Sequence, residues 1–449
     1  MKGKGLLVAA IILAALSGTL YWSNHRKPST SSVTAAESSP KVLDIKPADV
    51  VGIKISKRDG QELALSKNSS GKWQIIAPKT LAADQEAVSS LLSSLSPLNS
   101  DRLLEEKATD LNAYGLAKPV AEISVTENNN KSEDLLLGDD TPTSSGAYAA
   151  VKGDPRVFVI GSYNKTSLDK SENDLRDKRL LTFDSEKLSR VELTAKKETL
   201  EFGRNKDQWQ ILKPKPMRAN QLAVEDLVRS LGDAKMDLSA TDDEKKDLTA
   251  FNSGKPVASA KITDVAGTQE LQVRKNKDDY YAKSSGVAGV YKVLSSVGSS
   301  MDKSLDDFRN KKLFDFGFVD PEKIEIHDGA KSYFLTRSGS DWWANGTKMD
   351  EGSVSTLVSD IRDLSATKFP DSGFTTSALE VTVTSDSGKR VEKVLIAKNG
   401  DRYIAKRENE LALYELGATA ITDLQKAAAD VKPAPAPAPA AAPKNPKKK

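Results

Sequence analysis

The chain repeats itself at a period of about 135 residues, and that period limits it to an array of like units, each with its own small core. Trp73-Gln74-Ile75-Ile76-Ala77-Pro78 recurs as Trp209-Gln210-Ile211-Leu212-Lys213-Pro214, 136 residues later. A degenerate third copy stands at Trp342-Trp343, after a further 133 residues and without the proline. Ahead of each tryptophan, residues 51–55, 191–193 and 324–326 alternate apolar and polar side chains, the period of a half-buried strand. A second short strand follows each of them, at residues 63–65, 200–202 and 333–335. Turn residues such as Asp59-Gly60 and Ser338-Gly339 punctuate the strands, so the Trp strand completes an antiparallel meander.

A helix is predicted next. Asp84, Asn220 and Asp350 can each cap it, because a short side-chain acceptor satisfies free backbone N–H groups. From each cap, apolar residues fall at +4, +7 and +11: Val88, Leu91, Leu95; Val224, Leu227, Leu231; Val354, Leu357, Ile361. That spacing puts them on one face, able to cover one side of the meander. The second half of each copy reads as strands again, with a tyrosine strand centred on Tyr148, Tyr281 and Tyr403. The expected fold class is α+β: an N-terminal transmembrane helix, then three tandem repeats of antiparallel sheet with a covering helix. The expected domains are residues 41–181, 182–315 and 316–430.

Residues 5–22 form a run without a charged side chain behind Lys2 and Lys4, long enough for a short transmembrane span. The aromatic pair Tyr21-Trp22 at its end suits a membrane interface, which favours an uncleaved signal anchor. A cleaved signal peptide, with Ala15-Leu16-Ser17 before the cleavage point, is the alternative. The anchor reading makes residues 1–4 cytoplasmic and residues 23–40 a Ser/Thr-rich linker. It places the protein in a bacterial inner membrane, single-pass, with its body on the periplasmic side. Residues 431–449 alternate Pro and Ala and end in lysines, a basic tail of polyproline type. Charge is unevenly placed. Nine bases and one acid lie outside residues 41–430, leaving 57 bases against 62 acids between them. A mildly acidic body argues against nucleic acid as a partner.

The pattern resembles the bacterial envelope proteins defined by a repeated domain of unknown function, often encoded beside gliding-motility-type ABC transporter genes. The residues that carry the resemblance are the N-terminal anchor, the Trp73 to Pro78 motif and the Ala83-Asp84 helix start. Tyr114-Gly115-Leu116-Ala117-Lys118-Pro119, Leu137-Gly138-Asp139 and residues 175–181 complete it. The third copy departs, lacking the proline after its Trp pair and the Gly-x-x-Lys-Pro turn. The resemblance implies an accessory role near an ABC-type transporter, with its permease/ATPase complex as partner, and supplies no reaction.

Chemistry is sparse. The chain has no cysteine and only His25 and His327, so thiolate catalysis, thiolate zinc sites and histidine-rich metal sites are out of reach. There is no phosphate-binding Gly-x-x-x-x-Gly-Lys-Ser/Thr loop. Ser-x-x-Lys pairs such as Ser162/Lys165 and Ser300/Lys303 lack the partner motifs of penicillin-binding enzymes. Asp139-Asp140, Asp278-Asp279 and Asp306-Asp307 lack the alternating ligands and Gly turn of a calcium loop. No catalytic, metal or cofactor residues are expected. Trp342-Trp343 is the candidate partner contact: neighbours on a strand face opposite ways, so one of the two must lie outside the core. The expected function is a non-catalytic, membrane-anchored periplasmic accessory or scaffold protein of an ABC-type transport or envelope-remodelling system. The alternative is an envelope polysaccharide- or peptidoglycan-binding protein.

Overall fold

The computed structural model describes residues 39–206, 208–238 and 244–435. The chain divides into two compact units at Lys178/Arg179, the first holding one large antiparallel sheet and the second two.

Each large sheet is built from two outward-running meanders. In the first unit, strands Val50–Lys57, Glu62–Lys67, Trp73–Ala77 and Leu81–Ala82 run one way from the centre. Strands Ala121–Glu127, Ser132–Asp140, Gly146–Val151 and Val157–Gly161 run the other way. The two leading strands pair antiparallel, Ile53 opposite Val125 and Ile55 opposite Ile123, which joins the halves into one sheet. The second unit repeats the plan twice, with Val191 opposite Ile262 and Ile324 opposite Val383 at the two centres. Each meander delivers the chain into a helix: Gln85–Leu95 and Ser162–Leu168, Gln221–Gly232 and Ser295–Met301, Glu351–Asp363 and Ala418–Ala429.

The first helix of each pair is capped by its own sequence. Asp84 accepts from Glu86 and Ala87 N–H, Asn220 from Ala223 and Asp350 from Ser353. The side chains at +4, +7 and +11 from each cap are buried, together with Leu92, Val228 and Val358, and each repeat closes its own apolar core. Gln85 and Gln221, next after their caps, each accept from the tryptophan N–H of their repeat and donate to its C=O, at 2.7–2.9 Å. Glu351 replaces the glutamine in the third copy and cannot donate. There the Met349 N–H serves the Trp342 C=O, at 2.8 Å.

The chain leaving each repeat seals that repeat's sheet edge. Asp177 N–H donates to Ala82 C=O and Asn310 N–H to Arg218 C=O, while Asp84 and Asn220 N–H take the carbonyls of Leu175 and Phe308. Ala434 N–H donates to Lys348 C=O and Asp350 N–H to Lys432 C=O in the same register, with Met349 opposite Pro433. The start of the Pro/Ala segment therefore lies against the edge of the third sheet through an isolated bridge. Proline is tolerated there because the pairing uses the groups of its neighbours.

The expected fold class and localisation need correction. Residues 1–4, the span at 5–22, most of the linker and the tail beyond Pro435 lie outside the described residues. Among the described residues no helix is long and apolar enough to cross a membrane. Glu351–Asp363, at 13 residues, reaches only about 20 Å at 1.5 Å per residue, against roughly 30 Å of hydrocarbon, and only one of its faces is buried. The described fold is antiparallel sheet with short amphipathic helices, and neither an N-terminal transmembrane helix nor a single-pass inner-membrane placement is retained.

Candidate functional site

The densest set of charged side chains in the second unit lies where its two sheets are joined, and position in the repeat explains how it is assembled. Arg218 stands on the edge strand Met217–Arg218, Asp315 on the segment connecting the repeats, and Glu392 and Arg407 on neighbouring strands of the third sheet. Arg218 Nη1 lies 2.6 Å from Asp315 Oδ2, and its Nη2 donates to Lys312 C=O at 2.6 Å. Its Nε and the Arg407 Nε share Glu410 Oε1, each at 2.9 Å. Arg407 Nη2 donates to Glu392 Oε1 at 2.9 Å and Nη1 to Leu313 C=O at 2.7 Å. Glu392, only 5% exposed at its side chain, accepts the Asp315 N–H with both oxygens at 3.1 Å.

Aromatic rings back the cluster. The Arg309 guanidinium lies 3.6 Å from the centroid of Phe369, which meets Tyr414 edge-on at 5.6 Å. Tyr414 OH donates to Glu410 Oε2 at 2.7 Å. Burial, then that hydrogen bond, pushes the Tyr414 hydroxyl above its ordinary value, outweighing the opposing Arg218 charge. Burial disfavours the charge on Arg218, but Tyr414, Asp315 and Glu410 outweigh it and hold the guanidinium more firmly protonated than usual. Burial lowers Arg309. Beside the cluster lies a cavity of about 380 Å³, with Gln208, Gln210 and Arg390 among its walls.

The second repeat makes the same connection with neutral groups. Gln269 occupies the place of Glu392 and bonds both the N–H and C=O of Thr182, at 3.0 and 2.9 Å. Ser284 occupies the place of Arg407 and donates to Leu180 C=O, as Arg407 does to Leu313 C=O. The cluster is thus a charged form of a clasp that holds the incoming chain against a sheet. Its carboxylates are taken up by arginines and backbone N–H groups, an arrangement that fixes geometry. Sequence reasoning missed it. The available signal was departure from the repeat: Arg218 and Asp315 stand where the first copy has Ala82 and Thr182.

The residues singled out from sequence fall elsewhere. Trp342 is 4% exposed and lies in the third core, whereas Trp343 is 37% exposed on the opposite face of its strand. Phe334, 47% exposed, and His327, edge-on to it at 5.4 Å, stand on that same outer face. Asp139 holds Arg58, Asp140 holds Lys165, Asp279 holds Lys292, and Asp307 closes a capping box with Ser304. Gly115 and Gly138 serve close packing: a Cβ on Gly115, at φ +67°, would overlap Asp139, and one on Gly138 would fall 2.2 Å from the Tyr114 carbonyl oxygen. Among the described residues no three His, Asp or Glu side chains are grouped to hold a metal ion.

A family model described as a domain of unknown function, DUF4340, matches residues 73–216 and again 209–382. The chain belongs to this family. Both matches begin on a Trp strand and run through the sealing segment into the next repeat, so the DUF4340 unit includes the joint between repeats. No curated protein and no solved structure matches the chain.

Proposed function

We propose that this DUF4340 chain is a non-catalytic accessory scaffold whose repeats hold partner proteins in place. One observation supports the reading: the carboxylates of the charged cluster in the second unit, Asp315, Glu392 and Glu410, are engaged by arginines and a backbone N–H in fastening one repeat to the next, rather than set out as the acid, base or nucleophile that catalysis requires. The partner expected from the family resemblance is the permease/ATPase complex of an ABC-type transport or envelope-remodelling system. Affinity purification of the tagged full chain from detergent extracts, with quantitative mass spectrometry, tests it. Enrichment of permease and ATPase subunits is the expected result, and their absence defeats the partner assignment. The outward Trp343, Phe334 and His327 favour a second reading, glycan binding, since an exposed ring can stack on a sugar. Pull-down on insoluble peptidoglycan that fails for Trp343→Ala would shift the assignment to it.

A further inference from the structure

The three repeats differ at one equivalent place, where the leading strand ends beside the second helix. Lys57, Ala195 and Asp328 occupy the same register there, opposite Ala121, Ala258 and Leu379 across the central strand pair. The facing residue follows seven residues after the helix start and is Asp169, Asp302 and Gln425 in turn. In the first repeat the Lys57 ammonium lies 2.8 Å from Asp169, and in the third Gln425 donates to both oxygens of Asp328 at 3.1 Å. The second repeat keeps the carboxylate, Asp302, but has only the methyl group of Ala195 to face it. Among the described residues Asp302 makes no ion pair, and the place opens as a depression of about 730 Å³ with Val257 and Ala258 among its apolar walls. Lys196 and Lys197, on the turn that follows Ala195, also line it, as does Arg274, whose guanidinium lies over the Phe251 ring at 4.8 Å and donates to the Phe251 and Asn252 carbonyls.

We propose that this depression binds a primary ammonium on a short aliphatic stem whose other end is a carboxylate, that is, a free amino acid of the lysine type. The first repeat displays the fit, because its own lysine stem and ammonium fill the equivalent place against the equivalent carboxylate. Asp302 supplies the charge-assisted acceptor, Ala195, Val257 and Ala258 cover the stem, and Lys196 and Lys197 receive the carboxylate. The site is independent of the scaffold reading, since it needs neither the clasp nor a protein partner.

The test is saturation-transfer NMR and calorimetry on the full chain with L-lysine, 6-aminohexanoate and n-butylamine at low ionic strength. The first two should bind one per chain, and n-butylamine, lacking the carboxylate, more weakly. Ala195→Lys, which rebuilds the first repeat's pair, and Asp302→Asn, at an exposed position, should each weaken binding by about tenfold or more. Should Ala195→Lys fold poorly, Asp302→Asn decides alone. No binding to the native chain at about 10 mM ligand, or binding retained in Asp302→Asn, overturns the proposal.

Discussion

Replacing Glu392 by Gln separates the geometric and electrostatic parts of the clasp between the second and third repeats. The amide can still accept the Asp315 N–H, as Gln269 accepts that of Thr182 at 3.0 Å. What is lost is the negative partner of Arg407, whose side chain is 12% exposed. Stranding one member of a buried pair costs about 3–5 kcal/mol, but Arg407 keeps Glu410 at 2.9 Å and a longer contact to Asp315 at 3.5 Å. The expected loss is therefore about 1–3 kcal/mol, a fall of roughly 1 M in the urea midpoint. The double variant Glu392→Gln/Arg407→Ser rebuilds the neutral clasp of Gln269 and Ser284. Glu410 and Asp315 lose Arg407 but keep Arg218, at 2.9 and 2.6 Å, so the double variant should return to within about 1 kcal/mol of the native chain. Urea titration followed by hydrogen exchange, resolved on peptides from residues 379–416, reads the third repeat separately from the others. A double variant no more stable than Glu392→Gln would show that the two clasps are not the same device, and the argument would fall.

Further substitutions probe other parts of the fold. Trp342→Ala should cost about 3–5 kcal/mol in thermal or chemical unfolding, and Trp343→Ala under about 1 kcal/mol, because only the first ring fills the core. Gln85→Glu removes the donor to the Trp73 C=O and should destabilise the first unit by about 1–2 kcal/mol at neutral pH, seen as faster exchange of the Trp strand. Asp360 is held above its ordinary carboxyl range by burial, then by Asp423 and Asp363, so the folded state binds its proton more tightly than the unfolded chain. That penalty is absent below the unfolded carboxyl range and complete above the raised folded value. Asp360→Asn should thus stabilise by about 0.2–0.5 kcal/mol at pH 7 and converge with the native chain in acid, as read by denaturation at both pH values.

Much of the local structure was legible. The caps Asp84, Asn220 and Asp350, the buried faces of the helices they start and the opposite orientations of Trp342 and Trp343 all follow from 3.6- and 2-residue periods. Those periods are set by backbone geometry within a few residues, so the sequence by itself determined which side chains turn inward and where each unit recurs. Only the tertiary structure decided that the leading strands of two half-units pair at the centre of each sheet, about 70 residues apart in the first. It also decided that residues 432–434, read as the start of a spacer, seal the third sheet. The clasp and the depression were hidden for the same reason. The exchanges of Glu392 for Gln269 and of Ala195 for Lys57 acquire their meaning from the groups that face them, and those groups come from distant parts of the chain. Periodicity carries no information about such partners, because a side chain's role in a polar contact depends on what the fold places within about 3 Å of it.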